Sequence, residues 1–162
     1  MNQPPSTGAG GVRVEVVDER AGDLRAEPVD LERWGALATE VLEREGVTGD
    51  AELSLTFVDE DRMAALNEEF MGEAGPTDVL SFPLDPEPGP EPVRLLGDVV
   101  ICPAVAARNA PEHTGTYEDE VALLVVHGVL HVLGMDHADP DEAAAMAERE
   151  RAHLAAAGQD RR

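Results

Sequence analysis

A chain of 162 residues suits a single domain that buries most of its apolar surface. With 43% apolar but only 3% aromatic residues, its core must be aliphatic, built from Val, Leu and Ala. The net charge of −22, with arginine as the only basic residue besides histidine, slows encounter with free nucleic acid and repels phosphate chains at long range. The acids are spread along the whole sequence, which excludes an acidic tail and reads as a solvated surface. No apolar run reaches the roughly 18 residues of a membrane span. The first ten residues lack the basic start and hydrophobic segment of a signal peptide. A single cysteine, Cys102, precludes an internal disulfide, and the cytoplasm is the expected compartment.

Residues 1–11 are expected to be disordered, 12–157 to form the folded domain, and 158–162 to be a flexible C-terminus. Val12 to Val16 alternates at period two and predicts a strand with one buried face. Asp30 can cap a helix whose stripe is Leu31, Trp34, Leu37, Ala38, Val41 and Leu42. Leu53 to Phe57 alternates as a second strand, and a second helix follows from about Glu60 to Phe70, with Met63, Leu66 and Phe70 inward. Met71 to Asp78 reads as a loop before a short strand, Val79 to Phe82. Four prolines between Asp85 and Pro92 exclude a helix or central strand, leaving an exposed connection.

Arg94 to Cys102 predicts another strand, with Gly97 as a bulge or point of close backbone approach and Cys102 as a buried small hydrophobe. Pro103 opens a short helix to about Ala110, and a linker from Pro111 to Gly115 precedes an apolar helix starting near Tyr117. Asp139 caps a last helix with Pro140 at its first position, and Met146, Arg149, His153 and Leu154 share a stripe on it. His153 reads as a surface residue there. Four strands and about five helices, in the order βα-βα-ββ-αα-α, predict a single α+β domain. A four-stranded mixed sheet should pack with the helices, the apolar one lying centrally against it.

That apolar helix carries His127-Gly-Val-Leu-His131-Val-Leu-Gly134-Met-Asp-His137. Histidines four apart on a helix lie roughly 40° apart around the axis and about 6 Å apart along it, so both rings can converge on one ion. Gly134 can end the helix in a left-handed conformation and bring His137 back as a third nitrogen ligand. A lone histidine on such a face is ordinarily a satisfied core residue. Three of the chain's five histidines in one run is a different case, because each buried imidazole without a partner costs desolvation. Three protein ligands and an open fourth position describe a catalytic zinc. Imidazole favours zinc, with nickel, copper and manganese as alternatives.

The spacing also matches H-E-x-x-H-x-x-G-x-x-H of zinc peptidases, except that Gly128 stands where they carry the glutamate base. That departure argues against a peptidase.

Pro76-Thr-Asp-Val-Leu-Ser-Phe-Pro83, then Leu96-Gly-Asp-Val-Val-Ile101, then H-G-x-L-H-x-x-G-x-D-H resemble the three signatures of the YbeY rRNA maturation factors. Their order and separation also match, and the resemblance runs from about residue 12 to 157. It implies a bacterial cytoplasmic endoribonuclease with one Zn2+, specific for single-stranded RNA, acting in 16S rRNA 3′-end maturation and ribosome quality control. It implies His127, His131 and His137 as the zinc ligands. Many members have an arginine in the loop before P-T-D, where this chain has Met71. Arg94 and Arg108 are candidate substitutes for a phosphate clamp. Asp136 is a candidate to orient His131 or His137. Asp78, Ser81 and Asp98, within the motifs, are candidates to line the cleft.

Two other readings stand beside the nuclease. One is a non-catalytic ribosome-assembly factor with a structural zinc, and the other is a zinc peptidase. Because the surface is so acidic, docking on the small ribosomal subunit or a ribosomal protein is the expected route to single-stranded rRNA, with no membrane partner.

Overall fold

The computed structural model describes residues 11–21, 26–84, 93–136 and 138–158. The expected disordered segment 1–11 and flexible tail 158–162 fall almost wholly outside these, as do the proline-rich connection at 85–92 and His137.

The element order is β1 (Val12–Asp18), α1 (Leu31–Arg44), β2 (Ala51–Phe57), α2 (Glu60–Met71), β3 (Val79–Pro83), β4 (Arg94–Ile101), α3 (Pro103–Asn109), α4 (Tyr117–Val132) and α5 (Pro140–Ala156). Four helices start where a side chain meets otherwise unpaired amides. Asp30, Asp59, Thr116 and Asp139 accept from the backbone N–H of Arg33, Arg62, Asp119 and Glu142 respectively. Part of the linker expected at Pro111 to Gly115 is a single 3-10 turn, Ala110–Glu112.

The strands lie in the order β1-β2-β4-β3. β1, β2 and β4 are mutually parallel, and β3 returns antiparallel along β4 at the edge. This is the mixed α+β sheet that the alternating segments predict. Between β2 and β4 the register shifts so that Leu96 is passed over, the bulge expected next to Gly97. Gly97 has φ +149°, and a Cβ there would lie 2.5 Å from the carbonyl oxygen of Phe82. No side chain fits between these strands at that point.

Alternation along β4 divides the core. Val99 and Ile101 face the cluster built by α1, α4 and α5, together with Leu53, Leu55 and Phe57 of β2. Val100 faces the other side, where Met63 and Leu66 of α2 join Leu80 and Cys102. Burial pushes the Cys102 thiol above its ordinary pKa, which suits a packed hydrophobe rather than a nucleophile. Helix α4 is the central one: ten of its sixteen residues are buried, and it touches β3, β4, α1, α3 and α5. One of the ten is Glu120, 1% exposed. It accepts from Thr114 Oγ1 at 2.7 Å and lies 2.9 Å from His113 Nδ1, tying the preceding linker to the helix.

Two inward-outward expectations are overturned. Phe70, read as inward, is 55% exposed, because α2 ends one residue later and its last turn overhangs the sheet edge. His153, read as a surface residue, is 6% exposed. Its Nε2 lies 2.6 Å from Glu45 Oε2, and Arg149 donates to the same oxygen at 2.7 Å. Glu45 stands at the C-terminal cap of α1, so this cluster fastens α5 to α1. Burial works to raise the pKa of Glu45, but hydrogen bonds from Arg149 and then His153 outweigh it and hold the carboxyl below its ordinary range.

A depressed folded-state pKa contributes stability above the unfolded-state value and loses it as pH falls through the folded one. Glu45→Gln is therefore expected to destabilise the fold by about 1–3 kcal/mol at neutral pH. Denaturant titrations of both proteins should show that gap closing below about pH 4, within the acid range of an ordinary glutamate. A gap unchanged down to pH 3 would contradict the assignment.

Candidate metal centre

The apolar pattern of α4 puts His127 and His131 one turn apart, both on the side that faces β3. Their ring centroids are 4.6 Å apart with planes at 72°. Together with Met71, Asp78, Val79, Leu80 and Ser81 they line a depression of about 370 Å3 beside the edge strand. The helix ends immediately beyond. Gly134 has φ +103°, its N–H donates to the His131 carbonyl, and Met135 N–H donates to the Leu130 carbonyl. This paired bond is the Schellman ending for which glycine is suited. The chain therefore turns where the sequence predicts, and His137, the third expected ligand, lies outside the described residues.

Behind the depression, His127 Nδ1 lies 2.5 Å from Glu150 Oε2 of α5. A carboxylate can only accept, so Nδ1 is the donating nitrogen, and in the neutral ring Nε2 is then the one with a lone pair. An imidazole in that state is a competent metal ligand. Two imidazoles at one cleft fit a zinc-type donor set.

Gly128 explains why the peptidase glutamate is missing. A Cβ at this position would lie 2.5 Å from Val99 Cγ1, 3.2 Å from Val99 Cγ2 and 3.4 Å from Ser81 Oγ. The helix rests on β4 through bare backbone, and Ser81 Oγ donates to the Gly128 carbonyl at 3.1 Å. Ser81 thus lines the cleft while its hydroxyl holds the cleft wall to the helix. The loop carrying Asp78 is also tied down: buried Asn67 donates from Nδ2 to the Gly75 carbonyl at 2.9 Å.

The remaining sequence candidates are dispersed. Asp98 lines a different depression with Phe82 and Val100, because alternation turns it away from the Val99 side where α4 packs. Arg94 donates to the Thr48 carbonyl at 2.9 Å. Arg108 pairs with Glu60 at 3.1 Å. Neither arginine lines the histidine cleft, and Met71, which stands where the resembling motif often has arginine, lines it and is 48% exposed. Asp136 is exposed in the turn after α4. The residue that sequence reasoning missed is Glu150. Its one local signal is its place four residues after Met146, whose side chain is 2% exposed.

The fold and site define an α+β protein with two imidazoles set at a cleft beside an edge strand. A family profile described as Endoribonuclease YbeY matches residues 21–158. Curated relatives bearing that name include one from Thermobifida fusca, 51% identical over 120 residues, covering 71% of this chain and 77% of the relative. Another, from Beutenbergia cavernae, is 48% identical over 128 residues, covering 76% and 85%. A Thermotoga maritima protein solved in solution is 29% identical and superposes with a TM-score of 0.59, covering 89% of this chain and 88% of its own. The chain belongs to the YbeY family of endoribonucleases.

The contact at Gly128 makes a direct prediction. Gly128→Ala should cost about 1–3 kcal/mol by overpacking against Val99. The double variant with Val99→Ala should recover part of that loss, read as the midpoint of thermal or urea unfolding. Full additivity of the two losses would contradict the contact.

Proposed function

We propose that this protein is a zinc-dependent endoribonuclease that cuts single-stranded RNA, acting in 16S rRNA 3′-end maturation and ribosome quality control. Membership of the YbeY family supports RNA phosphodiester cleavage, since the relatives carry that activity in their name. The observation that carries the metal dependence is the meeting of His127 and His131 at one cleft, with Nδ1 of His127 already engaged by Glu150. His137, three residues past the Gly134 turn, completes the proposed ligand set. A zinc ion held there would supply Lewis acidity to a phosphoryl oxygen and to the attacking oxygen.

The chain's own groups do the rest. Ser81 and the Gly128 carbonyl hold the cleft wall against α4, so the imidazoles are presented from a rigid helix. No arginine is among the described residues that line the cleft, so the phosphate charge must be met chiefly at the imidazole end. Phe70 and Phe82 meet edge-to-face at 5.1 Å in the depression that Asp98 lines, and Phe70, next in sequence to Met71 of the histidine cleft, is 55% exposed. Exposed rings of this kind stack on unpaired bases and are denied to paired ones, which supports a single-stranded substrate.

The net charge of −22 supports a docked substrate in preference to a freely captured one. One divalent ion offsets surrounding acids only within about a Debye length of 8–10 Å. We propose that contact with the small ribosomal subunit or one of its proteins, in the cytoplasm, brings the RNA to the cleft. Among the described residues no helix is long and apolar enough to cross a membrane. Met71 in the cleft favours, as a second reading, an assembly factor whose zinc is structural. A peptidase is disfavoured by the lack of room for any side chain at Gly128.

The deciding experiment offers zinc-loaded protein a single-stranded 16S 3′ fragment and the same sequence as a duplex. Cleavage of the single strand alone is expected, abolished by chelation, restored by zinc, and reduced about 100-fold or more in His131→Ala. A 2′,3′-cyclic phosphate on the product would identify the 2′-OH as nucleophile, and a 5′-phosphate would identify water. If the loaded protein never cuts while His131→Ala still supports rRNA maturation, the assembly-factor reading replaces the nuclease.

A further inference from the structure

We infer that Glu150 is the positioning residue of the metal centre, fixing the His127 ring with Nδ1 protonated and Nε2 presented to the cleft. The inference rests on the zinc reading of the site. Met146, Arg149, Glu150 and His153, at i, i+3, i+4 and i+7, share one face of α5. Met146 is 2% exposed in the main core. Arg149 and His153 both reach Glu45 Oε2. Glu150, between them in sequence, reaches His127. The rotation of α5 about its axis is thus set on either side of Glu150 by contacts that do not involve the histidines. Its carboxylate is delivered to Nδ1 by the helix, with the side chain only 15% exposed.

The chemistry makes this more than a helix–helix fastening. An imidazole free in water prefers the proton on Nε2, the nitrogen that must be bare to face the cleft. A carboxylate at Nδ1 reverses that preference and stops the ring from flipping. Glu150 meets His127 Nδ1 and is not among the residues that line the cleft, so it acts through the histidine.

The test uses the full chain and measures zinc affinity by competition with a chromophoric chelator. Glu150→Ala is expected to weaken zinc binding about 10–100-fold. Glu150→Gln, whose amide oxygen still accepts from Nδ1–H, should recover most of that loss. Nitrogen-15 NMR of the zinc-free protein in alkaline buffer should find His127 as the Nδ1–H tautomer in the wild type and largely as Nε2–H in Glu150→Ala. Glu45→Gln is the structural control, lowering the melting temperature with a smaller effect on zinc. If Glu150→Ala loses melting temperature but binds zinc like a zinc-binding wild type, the inference fails and the metal reading stands. If the wild type binds no zinc, both fall together.

Discussion

The close approach of α4 to β4 at Gly128 is the constraint on which the site depends. Bare backbone at that point lets the helix settle onto Val99, and the same closeness allows Ser81 to donate to the Gly128 carbonyl. Burial of its Val and Leu side chains stabilises the helix by about 1.5–3 kcal/mol each. Helix α4 is therefore held as firmly as any element in the fold. His127 and His131 are the polar exceptions in the helix's run from Val121 to Val132, half-buried at the cleft. A rigid backbone and one open side make a place where two imidazoles can be presented without the helix adjusting to them. The same contact removes the position from which a peptidase would supply its base.

The second support comes from α5. It crosses behind the histidines, fastened to α1 through Glu45 and to α4 through Glu150. An acid-sensitive ion cluster and the carboxylate that holds a candidate metal ligand thus share one helix. The acidic surface is consistent with this division. Carboxylates are abundant throughout, but Glu45, Glu120 and Glu150 are drawn inward, and each is matched by an imidazole. Burying a carboxylate without such a partner would cost several kcal/mol.

Much of the architecture was readable from local signals. Caps at Asp30 and Asp139, strand alternation and the Gly134 turn depend on neighbours within a few residues, so element order and type follow from sequence. What was not readable depends on partners distant along the chain. His153 looks like a surface residue until Glu45, 108 positions away, is placed beside it. Phe70 continues the helical stripe but overhangs the sheet, which no periodicity reveals. Among the motif residues, Asp78 and Ser81 reach the cleft, whereas Asp98 sits on the face of β4 turned away from Val99 and α4 and does not. Arg94 and Arg108 were attractive for their charge alone, and their partners, Thr48 and Glu60, lie away from the histidines.

The proposed chemistry requires a zinc ion held by imidazoles with one position left for substrate or solvent. X-ray absorption at the zinc edge of the loaded protein tests it most directly. The expected spectrum fits three imidazole nitrogens and one further oxygen at about 2.0–2.1 Å, with one imidazole fewer in His131→Ala. A first shell filled by four protein donors, or one unchanged in His131→Ala, would contradict it.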